Sequence, residues 1–169
     1  PPEWKERVAS FFQIEPGNVV HPLTGPPVAR DDRTVLIASF NIQVFGESKL
    51  DKPDVVAVLA AVIRQFDVVA IQEVRSKNQD VVPHFVRTVN AQGANYDYIL
   101  GPRLGRTTSK DQYAVVFDTD RIEVDPNSIY TVPDPNDQLH RPPLVASFRA
   151  RAPPPNEAFT FTLINIHTD

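Results

Sequence analysis

Cysteine and methionine are both absent from the 169 residues. Without cysteine there is no disulfide framework, no thiolate zinc site and no cysteine nucleophile. Long apolar stretches are missing too. The longest unbroken one is Val55–Ile63, far short of the ~18 residues a membrane-spanning helix needs. Glycine is scarce, 6 residues beside 17 prolines, and the two together stay well under the ~25% that marks a low-complexity chain. An excess of basic charge is also lacking, since 17 Lys and Arg face 21 Asp and Glu for a net charge of −4. A chain that holds nucleic acid mainly by neutralising phosphates is usually basic. The balance still permits one that meets phosphate through a bound cation. What is present is core material: Leu, Ile, Val and Phe make up about 30% of the chain, above the ~20% below which disorder is the default. The length suits one domain with a sizeable core. The chain opens on Pro1, so it reads as processed or trimmed at its N-terminus.

Residues 1–33 are the least regular part, with a short helix expected over Trp4–Phe12 and an extended Pro-rich stretch over His21–Arg30. They read as an arm or linker, and residues 34–169 as the folded unit. Val35–Phe40 is a buried-strand run ending at Asn41. After Pro53, the helical spacing of Val55, Val58, Leu59, Val62, Ile63 and Phe66 predicts a helix over Asp54–Phe66, its stripe packed in the core. A second buried strand, Val68–Ile71, leads into Gln72 and Glu73, and a second helix is expected over Asp80–Asn90. Then Tyr96–Leu100, Tyr113–Phe117, Arg121–Val132, Leu144–Arg149 and Phe159–Ile166 all read as strands. Strand, helix, strand, helix and a run of strands fit an α+β fold: a two-layer β-sandwich flanked by helices.

Three apolar strands end in a polar side chain, namely Asn41, Glu73 and His167. Side chains at strand ends are placed to converge on one cleft. The amide oxygen of Asn41 and the carboxylate of Glu73 are hard donors suited to Mg²⁺ or Ca²⁺. Arg141 carries a planar cation fit for phosphate, and His167 moves protons near neutral pH. Each has a plainer reading. Asn41 suits a turn or cap, Glu73 suits an ion pair with Arg75 or Arg121, and His167 suits a strand end bonded to backbone. Arg103, Arg106 and Lys110 form a basic loop, which is commonly just a solvated surface.

Together these residues resemble the endonuclease/exonuclease/phosphatase superfamily, and within it the deoxyribonuclease I-like branch. The resemblance rests on Phe40–Lys49 and Ile71–Arg75, followed in order by Leu104-Gly105-Arg106, Ser109–Tyr113, Arg141-Pro142-Pro143 and Ile166-His167-Thr168. It implies that Glu73 is the principal metal ligand and that Asn41 touches the metal-bound phosphate. It makes His167 one of two general acid/base histidines, and Asp111 the carboxylate hydrogen-bonded to it. Arg75, Arg141 and Arg106 would meet the nucleic-acid backbone, with Tyr113 near the scissile phosphate. Gln43 stands where deoxyribonuclease I has an arginine, and Asp111 is one carbon shorter than the usual Glu. The implied cofactor is Mg²⁺, with Ca²⁺ or Mn²⁺ as alternatives; the implied substrate is DNA, and the resemblance favours a secreted or periplasmic location.

The family's Asp-x-Asn motif and terminal Ser-Asp-His, which belong to its second half, do not occur after His167. Sandwich domains of this kind commonly need ~200–250 residues. Residues 34–169 are therefore expected to be the N-terminal half of a catalytic domain, inactive alone. The complement would be the same chain continued or a second polypeptide lying beside the Phe159–Ile166 strand. The leading expectation is a metal-dependent phosphodiesterase acting on DNA. A phosphomonoesterase or phospholipid/inositol phosphate hydrolase is the alternative on the same scaffold, and a non-catalytic binding module is the alternative outside enzymes.

Overall fold

The computed structural model describes residues 30–106 and 110–168. The expected helix over Trp4–Phe12 and nearly all of the Pro-rich stretch lie outside the described residues. Among the described residues eight strands and three α-helices, one of them only four residues long, follow in the order β1 (Ile37–Phe45), α1 (Glu47–Leu50), α2 (Pro53–Ile63), β2 (Val68–Val74), α3 (Val81–Asn90), β3 (Tyr96–Leu100), β4 (Gln112–Asp118), β5 (Ile122–Val124), β6 (Tyr130–Thr131), β7 (Leu144–Ala150) and β8 (Thr160–Asn165). The first sheet runs β1-β2-β4-β3, and the second runs β5-β7-β6 with β8 also paired to β7. Among the described residues only β1 and β2 pair in parallel, because α1 and α2 make the crossover between them.

Alternation along the central strands builds two cores on opposite faces of the first sheet. Val69, Ile71, Ala114 and Val116 face the helices, where Val56, Ala60, Ile63, Val82, Phe85 and Val89 meet them. Val68, Val115 and Phe117 face the second sheet and pack on Ile122, Leu144, Ala146 and Phe148. The result is the expected α+β sandwich with helices on one outside face. Leu59, Ile63 and Phe66 of the expected helical stripe join the helix-side core, but the rest of the stripe is set differently. Val56, Ala60 and Ile63 point inward, while Val55, Val58 and Val62 are only partly buried. The segment is apolar all round, so periodicity cannot choose its face, and the small Ala60 and Ala61 allow close approach to the sheet.

Three strand expectations also change. The Val35–Phe40 run, expected to be buried and to end at Asn41, belongs to β1, which continues through Asn41 to Phe45 and leaves Leu36 and Ile37 exposed. Arg121–Val132 is broken between β5 and β6 by a 3-10 turn at Pro126–Ser128, where Asp125 Oδ1 accepts from Asn127 N–H at 2.9 Å. Phe159–Ile166 shortens to β8, which pairs with β7 on one side and with no strand on the other among the described residues. Ile164 is 62% and Ile166 49% exposed.

The first sheet carries buried charge at one end. Asp67, between α2 and β2, accepts from Arg30 Nη1 at 2.5 Å, Arg121 Nε at 2.7 Å and Leu36 N–H at 2.7 Å. Arg30 continues to Asp118 at 3.1 Å and to the Tyr96 hydroxyl at 3.3 Å. A carboxylate out of water needs such partners. The opposite end of the sheet holds Asn41, Glu73 and Asp111.

Candidate active site

Glu73 sits where two ladders break. Between Asn41/Gln72 and Phe45/Val74, β1 carries three residues against one on β2. Between Ile71/Ala114 and Val74/Gln112, β2 carries two against one on β4. This double bulge is closed by the Arg75 N–H to Phe45 carbonyl bond at 2.8 Å. Val44 and Glu73 take left-handed backbone there, with φ of 51° and 60°, a conformation non-glycine residues seldom adopt. Bulges of this kind re-aim side chains beside functional sites. Gly46 follows because nothing larger fits: a Cβ there would lie 2.8 Å from the Arg75 carbonyl oxygen.

The Glu73 carboxylate is held from several directions. Asn41 Nδ2 donates to Oε1 at 3.0 Å and Val44 N–H donates to Oε2 at 3.0 Å. Arg75 Nη2 lies 3.6 Å from Oε2, and His167 Nε2 lies 3.7 Å from Oε1. Burial raises its pKa, but the Asn41 and Val44 hydrogen bonds with the Arg75 and His167 charges outweigh this and hold it below the usual range. The result is an ionised carboxylate at neutral pH. Of the two pairings weighed for Glu73, the structure makes the one with Arg75; Arg121 serves Asp67.

His167 comes from the end of β8, in the other sheet, and its Nε2 lies 3.3 Å from Asn41 Nδ2. Its position is fixed through backbone, since its N–H donates to the Tyr113 hydroxyl at 3.0 Å, and that hydroxyl donates to the Arg141 carbonyl at 3.3 Å. Tyr113 is 2% exposed. Its hydroxyl thus ties the His167 backbone to the loop carrying Arg141.

Asp111 differs from expectation. Its Oδ1 accepts from Arg75 Nε at 2.6 Å, and its Oδ2 lies 3.0 Å from Arg141 Nε. Oδ1 is hydrogen-bonded to Arg75, Oδ2 makes an ion pair with Arg141 but no hydrogen bond, and the expected Asp111–His167 hydrogen bond is not made among the described residues. His167 Nδ1 is buried without a hydrogen-bond partner among the described residues. Arg106 is also elsewhere: it contacts Asp137, with Nε 3.3 Å from Oδ2 and Nη2 donating to the Asp137 carbonyl. Of the sequence-derived site residues, then, the structure gathers Asn41, Glu73, Arg75, Asp111, Arg141 and His167, with Tyr113 beneath and Arg106 apart.

Asn165 was not singled out from the sequence. It is 1% exposed; its Nδ2 donates to the Ile71 carbonyl at 3.1 Å and the Ala114 carbonyl at 3.0 Å, and its Oδ1 accepts from Gln72 Nε2 at 2.6 Å. One side chain of the second sheet thus caps the break in the first, two residues before His167. The available signal was an amide that follows Leu163 and Ile164 and precedes Ile166.

The donor set can be tested against a metal. Glu73 and Asn41 offer one carboxylate and one amide, and the described residues contain no group of three or more His, Cys, Asp or Glu side chains able to hold an ion. That is no closed cage of protein ligands. It fits a small hard cation that keeps several waters, as Mg²⁺ does.

Two sheets face to face, helices on one outer face and a polar cluster at the rim make this a deoxyribonuclease I-like α+β sandwich. The chain belongs to the endonuclease/exonuclease/phosphatase family, whose model matches residues 38–160. It is 33% identical over 124 residues to deoxyribonuclease-1-like 2 of Homo sapiens, covering 70% of this chain and 41% of that protein. It is 28% identical over 137 residues to deoxyribonuclease gamma of Rattus norvegicus, covering 78% and 43%. Among solved structures, an endonuclease/exonuclease/phosphatase family protein of Bacteroides thetaiotaomicron aligns with TM-score 0.51 at 17% identity, over 77% of this chain and 47% of that one. The mannosyl-6-phosphatase of the same species aligns with TM-score 0.51 at 16% identity, over 78% and 50%. The structural likenesses show the shared fold. The chain spans less than half the length of the curated relatives it matches. No helix among the described residues is long and apolar enough to cross a membrane.

Proposed function

We propose that the whole protein is a divalent-metal-dependent phosphodiesterase that cleaves DNA by in-line attack of water. The observation that carries this reading is the Glu73 carboxylate, kept ionised at a double bulge with Asn41, His167 and Arg75 around it. The deoxyribonuclease names of the curated relatives support DNA over other phosphoesters.

Glu73 and Asn41 would hold the cation, Mg²⁺ first, with Ca²⁺ or Mn²⁺ as alternatives. When bound, the ion supplies charge neutralisation at the phosphate oxygens. Arg75 and Arg141 orient the phosphate by planar, charge-assisted hydrogen bonds. His167 holds or accepts a proton at Nε2, the ring atom facing Glu73 and Asn41. Its backbone tie to Tyr113 keeps the ring at the rim. The open side of β8, with Ile164 and Ile166 exposed beside His167, supports a complementary segment seated there, either the chain continued or a second polypeptide.

The test is a substrate panel with the full-length protein and Mg²⁺: supercoiled plasmid, a phosphomonoester and an inositol phosphate. Plasmid nicking that far exceeds turnover of the other two is expected. Turnover of a monoester with plasmid left intact would replace this reading by the phosphatase alternative. No turnover of any substrate, together with DNA binding, would favour the binding module.

A further inference from the structure

The Gln43–Val44 peptide lies inside the break of the β1 ladder, between the Asn41/Gln72 and Phe45/Val74 pairs. Charge holds it at both ends. Its N–H donates to Glu73 Oε2 at 3.0 Å, and its carbonyl accepts from the Lys49 ammonium. Cation, peptide dipole and anion follow one another in the favourable sense, and hydrogen bonds linked in this way strengthen each other.

Lys49 reaches the bulge because the chain turns sharply after it. Gly46 caps α1, and its carbonyl accepts from the Lys49 and Leu50 N–H groups at 3.0 Å and 3.3 Å. That single turn brings Lys49 back over Gln43. Among the described residues Glu73 is paired with Arg75 and His167, and Lys49 makes no ion pair with it. The two charges still feel one another: burial and the Lys52 ammonium lower the pKa of Lys49, and the Glu73 carboxylate opposes them.

The peptide needs such a hold. The φ of Val44 sets how the preceding peptide faces, and at 51° it is left-handed. Backbone of this kind persists in a β-branched residue only where its surroundings over-determine it. The Val44 side chain is exposed and supplies little packing, so the two polar contacts of the peptide carry much of that task.

We propose that Lys49 is a positioning residue for the Glu73 carboxylate, acting through the Gln43–Val44 peptide. With Oε2 of Glu73 fixed by the Val44 N–H, the carboxylate is presented at a set angle to a divalent cation. The cation rests on the reading of Glu73 as a metal ligand; the bridge from Lys49 to Glu73 does not. Lys49 is only partly buried, so solvent screens its direct repulsion of the cation, and the hold through the peptide dominates.

The test uses the full-length protein, with Mn²⁺ binding followed by electron paramagnetic resonance and the Val44 N–H followed by NMR. In the wild type that N–H should be protected from exchange. Lys49→Met should weaken Mn²⁺ binding about tenfold or more, the scale for a lost partner that orients a metal ligand. Before any metal is added, it should also shift the Val44 amide resonance and lose its protection. Plasmid nicking should need correspondingly more Mg²⁺ for half-saturation, while the rate at saturation stays within a few-fold. Lys49→Arg keeps a cationic donor of similar reach and should bind Mn²⁺ within a few-fold of the wild type. Unchanged Mn²⁺ affinity in Lys49→Met, or tighter binding through removal of a positive charge, would overturn the proposal. Equal losses in Lys49→Arg would assign the effect to packing and overturn it too, as would an unprotected Val44 amide in the wild type. Protection that depends on Lys49, in a wild type that binds no Mn²⁺, would leave the bridge standing and remove the metal reading.

Discussion

Val44 and Glu73 stand side by side in left-handed backbone, and the Val44 N–H reaches the Glu73 carboxylate at 3.0 Å. The contact exists because β1 carries extra residues at this point, turning the amide from the ladder toward the side chain. Left-handed backbone costs a β-branched residue ~1–2 kcal/mol, and Val44 is exposed, so its side chain repays little by packing. Val44→Gly should therefore be neutral or more stable by up to ~1 kcal/mol, although glycine within a strand ordinarily costs ~0.5–1 kcal/mol. Urea unfolding of the full-length protein decides it, and a loss above ~1 kcal/mol would contradict the strain assigned to this bulge.

Asn165 couples the two sheets by satisfying the Ile71 and Ala114 carbonyls and the Gln72 amide. Asn165→Leu would take the donor from the buried Ile71 and Ala114 carbonyls, at ~1–3 kcal/mol for each one left unsatisfied, while the Gln72 amide keeps the Ser39 hydroxyl and the Ala70 carbonyl. A drop of several kcal/mol in unfolding free energy is expected. Wild-type stability in this variant would show that water or rearrangement serves those groups instead.

His167→Ala should lower kcat by ~10²–10⁴, the range for a lost general acid/base, with substrate affinity little changed. Single-turnover kinetics separates the two. A change in affinity alone would make His167 a binding group.

Tyr96 provides the pH prediction. Its buried hydroxyl donates to the Phe66 carbonyl at 2.7 Å, and burial pushes its pKa up to about 12 from an ordinary value near 10. The folded protein thus keeps this proton over a window in which the unfolded chain releases it. Stability falls as pH rises between 10 and about 12, by about 3 kcal/mol in all. Tyr96→Phe should flatten that decline. Urea unfolding at about pH 8 and pH 11 checks it, and an equal alkaline loss in the variant would place the titration on another group.

Much of the site was legible because chemistry-bearing residues directly follow short apolar runs of sequence. Of the apolar runs before Asn41, Glu73 and His167, only the one before Glu73 is buried throughout; Leu36 and Ile37 before Asn41 and Ile164 and Ile166 before His167 are exposed, although all three runs lead to one rim. The bulge was not legible. Val44 and Glu73 are neither glycine nor asparagine, so residue type gives no sign of left-handed backbone; the fold imposes it. Asp111 was found but assigned the wrong partner, because motif order does not tell which of several nearby cations a carboxylate will meet. Arg121–Val132 was read as one strand although Asp125 and Pro126 already carried the turn chemistry that breaks it. The face of α2 was unreadable for a different reason, since a helix apolar on every side gives no direction.

The central claim is that Glu73 anchors a divalent cation for phosphodiester cleavage, and a Mg²⁺ titration of plasmid nicking by full-length wild type and Glu73→Gln tests it most directly. The wild type should nick with a saturable dependence on Mg²⁺ and stop when a chelator is added. Glu73→Gln should keep its fold by circular dichroism and show no cleavage at any Mg²⁺ concentration, because the neutral amide cannot replace the one carboxylate in the donor set. Near-wild-type nicking by Glu73→Gln at saturating Mg²⁺, or nicking by the wild type that survives the chelator, would contradict the account.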